Sequence, residues 1–74
     1  MILHLHLDDE CPVIGSGVRP VEICSIGRKW AWLRKPGNAN RFRIPVKGLN
    51  GFERLINAKN NRKAKKTLKE NGVL

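Results

Sequence analysis

The sequence predicts an α+β fold: a small antiparallel β-barrel or curled sheet over residues ~2–47, then a basic C-terminal helical segment over residues 50–71. Three observations carry this. Residues 2–7 and 41–47 alternate apolar and polar side chains, the period of a half-buried strand. Gly and Pro turn signals recur through the first two thirds of the chain. After Gly48 the apolar period becomes helical. At 74 residues the chain is long enough for one domain and one core, with little room for a deep substrate cleft as well.

In Ile2-Leu3-His4-Leu5-His6-Leu7, the three Leu face one way and Ile2, His4 and His6 the other. Asp8-Asp9-Glu10-Cys11-Pro12 ends that strand in an acidic turn, because Pro12 has no ladder donor. Gly15-Ser16-Gly17 is a turn, and residues 18–26 form a second strand with Pro20 near its start or on an edge. Gly27 marks a bend or bulge. Lys29 to Lys35 make a third strand, and Pro36-Gly37-Asn38 a turn with φ preset by the proline. From Arg41 to Lys47, Phe42, Ile44 and Val46 share one face; Pro45 on the other makes this an edge strand.

Asn50-Gly51-Phe52-Glu53 has the spacing of a capping box, with Phe52, Leu55 and Ile56 on one helical stripe. Ala64 and Leu68 lie more than about 90° around the wheel from that stripe. Either one helix projects its second half into solvent, or two segments meet at a break near Asn60-Asn61; two segments is the preferred reading. Asn71-Gly72 fits a Schellman C-cap, with Leu68 at C3 and Val73 at C″.

Charge is the outlying feature. Fifteen Lys and Arg oppose six Asp and Glu, a net +9 that disfavours the compact state unless a negative partner is present. The first ten residues hold three acids and no base. Positions 19–47 hold eight bases against Glu22, and positions 53–70 hold seven against Glu53 and Glu70. Two cysteines, no basic n-region and an apolar stretch broken by His4 and His6 predict a cytoplasmic protein with reduced thiols. No apolar run reaches membrane-spanning length.

The segment Ile26 to Lys35 interleaves two Trp with four cations. Trp30 and Trp32 share a strand face and could stack bases, while Arg28, Lys29, Arg34 and Lys35 hold phosphates, joined by Arg41 and Arg43 across the hairpin. The competing arrangement puts both Trp in the core, as the bulkiest side chains of a chain with two Phe and no Tyr; Ala31 and Leu33 compete for that inward face. Towards the C-terminus Arg54, Lys59, Arg62, Lys63, Lys65, Lys66 and Lys69 form either a solvated face or a phosphate-binding one. The segment lacks the large apolar face of a membrane-surface helix, so no membrane partner is expected. Together the hairpin and helix cations would make one continuous positive surface.

Catalysis finds no support. Ser16 and Ser25 sit in no nucleophile elbow, and Gly15-Ser16-Gly17 is too short for a phosphate loop. His4 and His6 with Cys11 and Cys24 could surround a metal, but their spacing matches no zinc signature, and neither metal nor cofactor is expected.

The stretch from Val21 to Val46, with Ile26-Gly27-Arg28-Lys29-Trp30-Ala31, a turn and Arg41-Phe42-Arg43-Ile44, resembles small bacteriophage-type β-barrel proteins of SH3-like or KOW-like character, over about a third of the chain. The resemblance implies a five-stranded barrel that binds nucleic acid or protein; the basic C-terminal helix departs from the plain barrel. The sequence thus predicts a non-enzymatic binder of RNA or DNA. The alternative is a small phage-type interaction module that docks, in the host cytoplasm, on an acidic protein surface of a host enzyme or nucleoprotein complex. A ribosome-associated structural role ranks third.

Overall fold

The computed structural model describes residues 1–7, 14–48 and 50–74. In chain order the elements are β1 (Ile2–Leu7), β2 (Gly17–Ile26), β3 (Trp30–Arg34), β4 (Arg41–Pro45), α1 (Phe52–Asn57), a 3₁₀ turn (Lys59–Asn61) and α2 (Arg62–Glu70). The acidic turn expected over Asp8 to Pro12, with Cys11, lies outside the described residues.

The strands make one antiparallel meander in the order β1-β2-β3-β4. The expected SH3-like barrel does not close, and the fifth strand that the resemblance implied is not found among the described residues. The helices are the reason. A barrel buries its inner face by curling onto itself; here Phe52 and Ile56 of α1 and Ala64 and Leu68 of α2 cover that face instead. They pack with Leu3, Leu5, Leu7, Val21, Ile23, Ala31 and Leu33 in one core, and the helices meet the sheet chiefly at β1. Inner-face Phe42 and Ile44, on the opposite edge, are therefore only half-buried.

Local chemistry explains each element. The alternation in β1 is complete, with all three Leu buried and Ile2, His4 and His6 exposed. Pro20 lies where β2 pairs with β1 but has passed the last residue of β3, so its missing donor costs no bond on that side. The register shift in β2 falls between Ile23 and Ser25, at Cys24, and not at the expected Gly27. The extra residue turns Ser25 outward opposite Trp32 and Ile26 inward opposite Ala31. Gly27 instead closes the β2–β3 turn, donating to the Trp30 carbonyl at 2.9 Å. The Pro36-Gly37 turn is hydrogen-bonded, Asn38 N–H to Lys35 carbonyl at 3.0 Å. β4 is the expected edge, bearing Arg41, Arg43 and Pro45 outward, side chains that discourage further strand pairing.

The expected capping box does not form. Gly51 is the N-cap of α1 and no side chain caps it. A Cβ on Gly51 would lie 2.7 Å from the Pro45 carbonyl oxygen and 2.9 Å from the Lys47 carbonyl carbon, so the chain enters α1 where only glycine fits. The Glu53 amide donates to the Val46 carbonyl at 2.9 Å, which satisfies a helix-start donor with sheet backbone. The expected break is present: Ala58 is extended (φ −60°, ψ 145°) and separates α1 from the 3₁₀ turn. The expected Schellman motif is complete. Gly72 has φ 72°, Val73 N–H reaches the Leu68 carbonyl at 3.0 Å, and Gly72 N–H the Lys69 carbonyl at 3.1 Å.

Asn61 ties the layers together. Its side chain is 1% exposed and carries three hydrogen bonds. The amide oxygen accepts from His6 N–H at 2.7 Å, and the amide nitrogen donates to the His6 carbonyl at 3.1 Å and the Leu55 carbonyl at 2.6 Å. In the antiparallel register the odd residues of β1 bond to β2, as Met1 does in accepting from Ile23, so His6 points its backbone groups to the free edge. Asn61 meets both of them as a neighbouring strand would.

Replacing Asn61 by Ala or by the similarly sized Leu leaves part-buried backbone groups of His6 and Leu55 unpaired, where fully buried groups would cost about 1–3 kcal/mol each. Both variants are expected to lose at least about 2 kcal/mol in urea denaturation, and a neutral Asn61→Leu would show that the edge needs no bracket. Gly51→Ala is expected to cost about 1–3 kcal/mol in the same assay, because a backbone oxygen, not a flexible side chain, must give way.

Candidate nucleic-acid interface

The described helices pack on the inner face, and none of them covers the outer face of the sheet. Reading across the register, its side chains run His6–Val18, His4–Pro20, Ile2–Glu22–Arg34–Arg41, Ser25–Trp32–Arg43 and Trp30–Pro45. The alternation of β3 is what exposes the tryptophans: Ala31 and Leu33 are buried, while Trp30 is 38% and Trp32 37% exposed. The core-packing arrangement of the two Trp is therefore not the one adopted.

Each ring is flanked by a guanidinium. Arg43 stands opposite Trp32 but leans along the sheet, its Cζ 4.3 Å from the centroid of Trp30 and 6.0 Å from that of Trp32. Arg41 stands opposite Arg34 and leans the same way, 5.9 Å from the Trp32 centroid. At exposed sites such contacts contribute about 0.5–1 kcal/mol each. They hold two cations and two aromatic rings in one patch, planar surfaces beside positive charges.

Arg34, one of the expected phosphate contacts, has a partner within the free protein. It forms a two-point ion pair with Glu22, Nε to Oε2 at 2.6 Å and Nη2 to Oε1 at 2.8 Å. The pair cancels the only acid of the outer face among the described residues and relieves the repulsion between Arg34 and Arg41, directly opposed across the strands. The hydrogen-bonded guanidinium holds the Glu22 carboxyl below its ordinary range against a smaller opposing effect of desolvation, and Glu22 in turn raises Arg34. Sequence reasoning missed Glu22 as a member of the site; the signal was a lone acid among eight bases in positions 19–47.

The other cations fall into two groups. Arg28 and Lys29 are exposed in the β2–β3 turn next to Trp30, and Lys35 is exposed at the opposite end of β3. They rim the Trp patch. Lys59 of the 3₁₀ turn and Arg62, Lys63, Lys65, Lys66 and Lys69 of α2 belong to the helical layer, which packs on the inner face. The Arg62, Lys66 and Lys69 side of α2 points away from the core, while Lys63 reaches the β1 edge and lines a shallow hollow with Ile2 and His4 of the outer face. On α2, Arg62, Lys65, Lys66 and Lys69, with Glu70, line a shallow hollow of about 480 Å³. Lys65 Nζ also donates to Asn57 Oδ1 at 2.6 Å, tying α2 to the end of α1.

His4 and His6 are exposed on the outer face, Cys24 sits at the bulge beside Ser25, and Cys11 lies outside the described residues. Among the described residues no three His, Cys, Asp or Glu side chains converge as metal ligands would. No described helix is long and apolar enough to cross a membrane. No protein-family model, curated protein or solved structure matches the chain, so the physical reading of the patch carries the functional argument.

The Glu22–Arg34 pair sets a pH dependence. A carboxyl whose pKa is lowered by folding adds stability above its unfolded value, about 4.3, and that stability is lost as pH falls through the folded value. Wild type should therefore exceed Glu22→Gln in stability at pH 7, with the gap closing on acidification through and below pH ~4. A gap independent of pH in parallel denaturation series would mean that the pair contributes through packing alone.

Proposed function

We propose that this protein is a non-enzymatic nucleic-acid-binding protein. The observation that carries the reading is the outer sheet face, which no described helix covers, with Trp30 and Trp32 exposed and the guanidiniums of Arg43 and Arg41 over one side of their rings. Bases stack on Trp30 and Trp32, since every base presents a π-face whatever its sequence. Phosphates meet Arg41 and Arg43 beside the rings and Arg28, Lys29 and Lys35 at the rim. The cations of the helical layer add a second source of phosphate affinity. None of these contacts reads the hydrogen-bonding edge of a base, so binding is tolerant of sequence. The reading places the protein in the cytoplasm, where Cys24 stays reduced.

One observation supports a second reading, a small phage-type module that docks on a host protein. Ile2 and Val18, 53% and 65% exposed, stand on the same outer face as Trp30 and Trp32, apart from them across the Glu22–Arg34 pair and the His4–Pro20 row, and add apolar side chains that a protein partner could cover. Large exposed apolar patches commonly mark protein contacts. The guanidiniums beside both rings favour the nucleic-acid reading, because an apolar partner would have to desolvate them.

The test is fluorescence-anisotropy titration at low salt against a panel of single- and double-stranded RNA and DNA probes. Binding is expected to weaken steeply with salt. Loss of stacking costs about 1–3 kcal/mol per base, so Trp30→Ala and Trp32→Ala should each weaken the best probe about 5-fold or more. Absence of binding to every probe overturns the proposal, and a protein partner captured equally well after nuclease treatment would support the second reading.

A further inference from the structure

The helical cations are not arranged for the benefit of their own helix. On the helical wheel Ala64 and Leu68 point into the core, and Arg62, Lys66 and Lys69 form a stripe on the opposite side, at spacings of four and three. Like charges at those spacings repel one another. The first turn of α2 carries Arg62 and Lys63 and no acid, the reverse of what the helix dipole favours. This stripe is fully solvent-facing, with Arg62, Lys66 and Lys69 all exposed. Lys69, in the last turn, suits the dipole; a negative partner would offset what remains unfavourable, the cations of the first turn and the like-charge spacings.

The two cationic faces differ in chemistry. The sheet face offers planar rings. Trp30 and Trp32 are two residues apart on one strand, so their Cα atoms are about 6.7 Å apart. That is about twice the 3.4 Å rise of a stacked strand in a duplex, so bases resting on both rings belong to an unpaired, splayed strand. The α2 face offers charge alone: no aromatic residue lies between Arg54 and the chain end. A shallow hollow lined by four cations and one acid, Glu70, keeps a net positive charge that fits phosphate oxygens along a duplex backbone, and has nothing to stack on a base.

Geometry keeps the two faces from serving one stiff ligand. The molecule spans 25 × 24 × 21 Å, and the Arg62, Lys66 and Lys69 stripe points away from the core that the inner face of the sheet also meets. A duplex passing from that stripe to the outer sheet face would have to turn more sharply than the bends of about 40–90° that a bound protein imposes on a short site. Resting on the proposed nucleic-acid binding, we infer that the protein carries two separate sites, an unpaired-strand site on the sheet and a duplex-backbone site on α2, and that it bridges a single-stranded segment to a duplex.

The experiment immobilises a duplex of roughly 12 base pairs, about 40 Å at 3.4 Å per pair, and adds the full-length protein with a fluorescent single-stranded hexanucleotide. The expected result is a ternary complex: the protein carries the hexanucleotide to the immobilised duplex. Arg62→Glu/Lys66→Glu/Lys69→Glu should weaken duplex capture at least tenfold and leave hexanucleotide affinity in solution within about threefold, the tenfold loss corresponding to 1.4 kcal/mol. Trp30→Ala/Trp32→Ala should do the reverse. A glutamate in the first turn suits the helix dipole, and circular dichroism of each variant verifies that the fold is kept. Displacement of the protein from the duplex by excess hexanucleotide, or loss of both ligands in either variant, overturns the two-site inference while leaving nucleic-acid binding intact. Binding of neither ligand by wild type overturns both.

Discussion

The architecture turns on the side chain of Asn61. A strand at the edge of a sheet must satisfy its outward amides and carbonyls or offer them to another chain. β1 is such a strand, and at His6 the buried Asn61 amide takes both backbone groups while holding the Leu55 carbonyl with its remaining hydrogen. One amide group therefore joins the sheet edge, the last residues of α1 and the start of α2. It also explains the break between the helices. In an uninterrupted helix position 61 would fall about 180° around the wheel from Phe52, away from the core; the extended Ala58 and the 3₁₀ turn instead deliver Asn61 to the edge and point Ala64 and Leu68 back at the core.

The placement of that bracket decides which face of the sheet is available for function. Because the described helices are held over β1 and the inner face, none of them covers the outer face, and what β3 and β4 project there is not packed under a helix. Gly51 acts at the other end of the same layer by letting the chain pass close to Pro45 and Lys47 as it leaves the sheet. Neither residue touches the Trp patch. Both determine that no described helix covers it, since a sheet closed on itself or a helix layer on the other side would present a different set of side chains.

What the sequence revealed follows from the range of the interactions involved. The alternation of Leu3, Leu5 and Leu7, the Pro36-Gly37 turn, the helix break and the Leu68–Val73 C-cap are settled within a few residues, and local pattern is enough to read them. The Asn61 bracket joins residues 55 apart and leaves no local mark. The bulge at Cys24 was hidden because one extra residue in a strand has no composition of its own, and Gly27 nearby gave a stronger but misplaced signal. The capping box failed for a related reason. Asn50 and Glu53 have the right spacing, but the Glu53 amide already has the Val46 carbonyl, so the backbone of the sheet supplies what the box would have supplied. The tryptophans were ambiguous by volume alone. Two helices already fill the core with Phe52, Ile56 and Leu68, which leaves β3 needing only Ala31 and Leu33 beneath them.

Charge can then be followed through the layers. A net +9 on 74 residues is a cost to folding that each part of the molecule handles differently. In the sheet, Glu22 neutralises Arg34, and Arg41 and Arg43 are spread over indole rings, so the repulsion within β3 and β4 is partly relieved inside the free protein. In α2 the cations stand at repelling spacings, with Glu70 among them and Glu53 lining a hollow with Lys65 and Lys69. Two acids offset only part of that repulsion. The arginines of the sheet face are thus already aligned with the rings in the free protein. Under the proposed function that face would add stacking to its charge contacts, whereas the helix face would gain from neutralisation alone, which salt screens directly. Stacking would then be the part of the affinity that ionic strength leaves in place, and it would reside on the sheet.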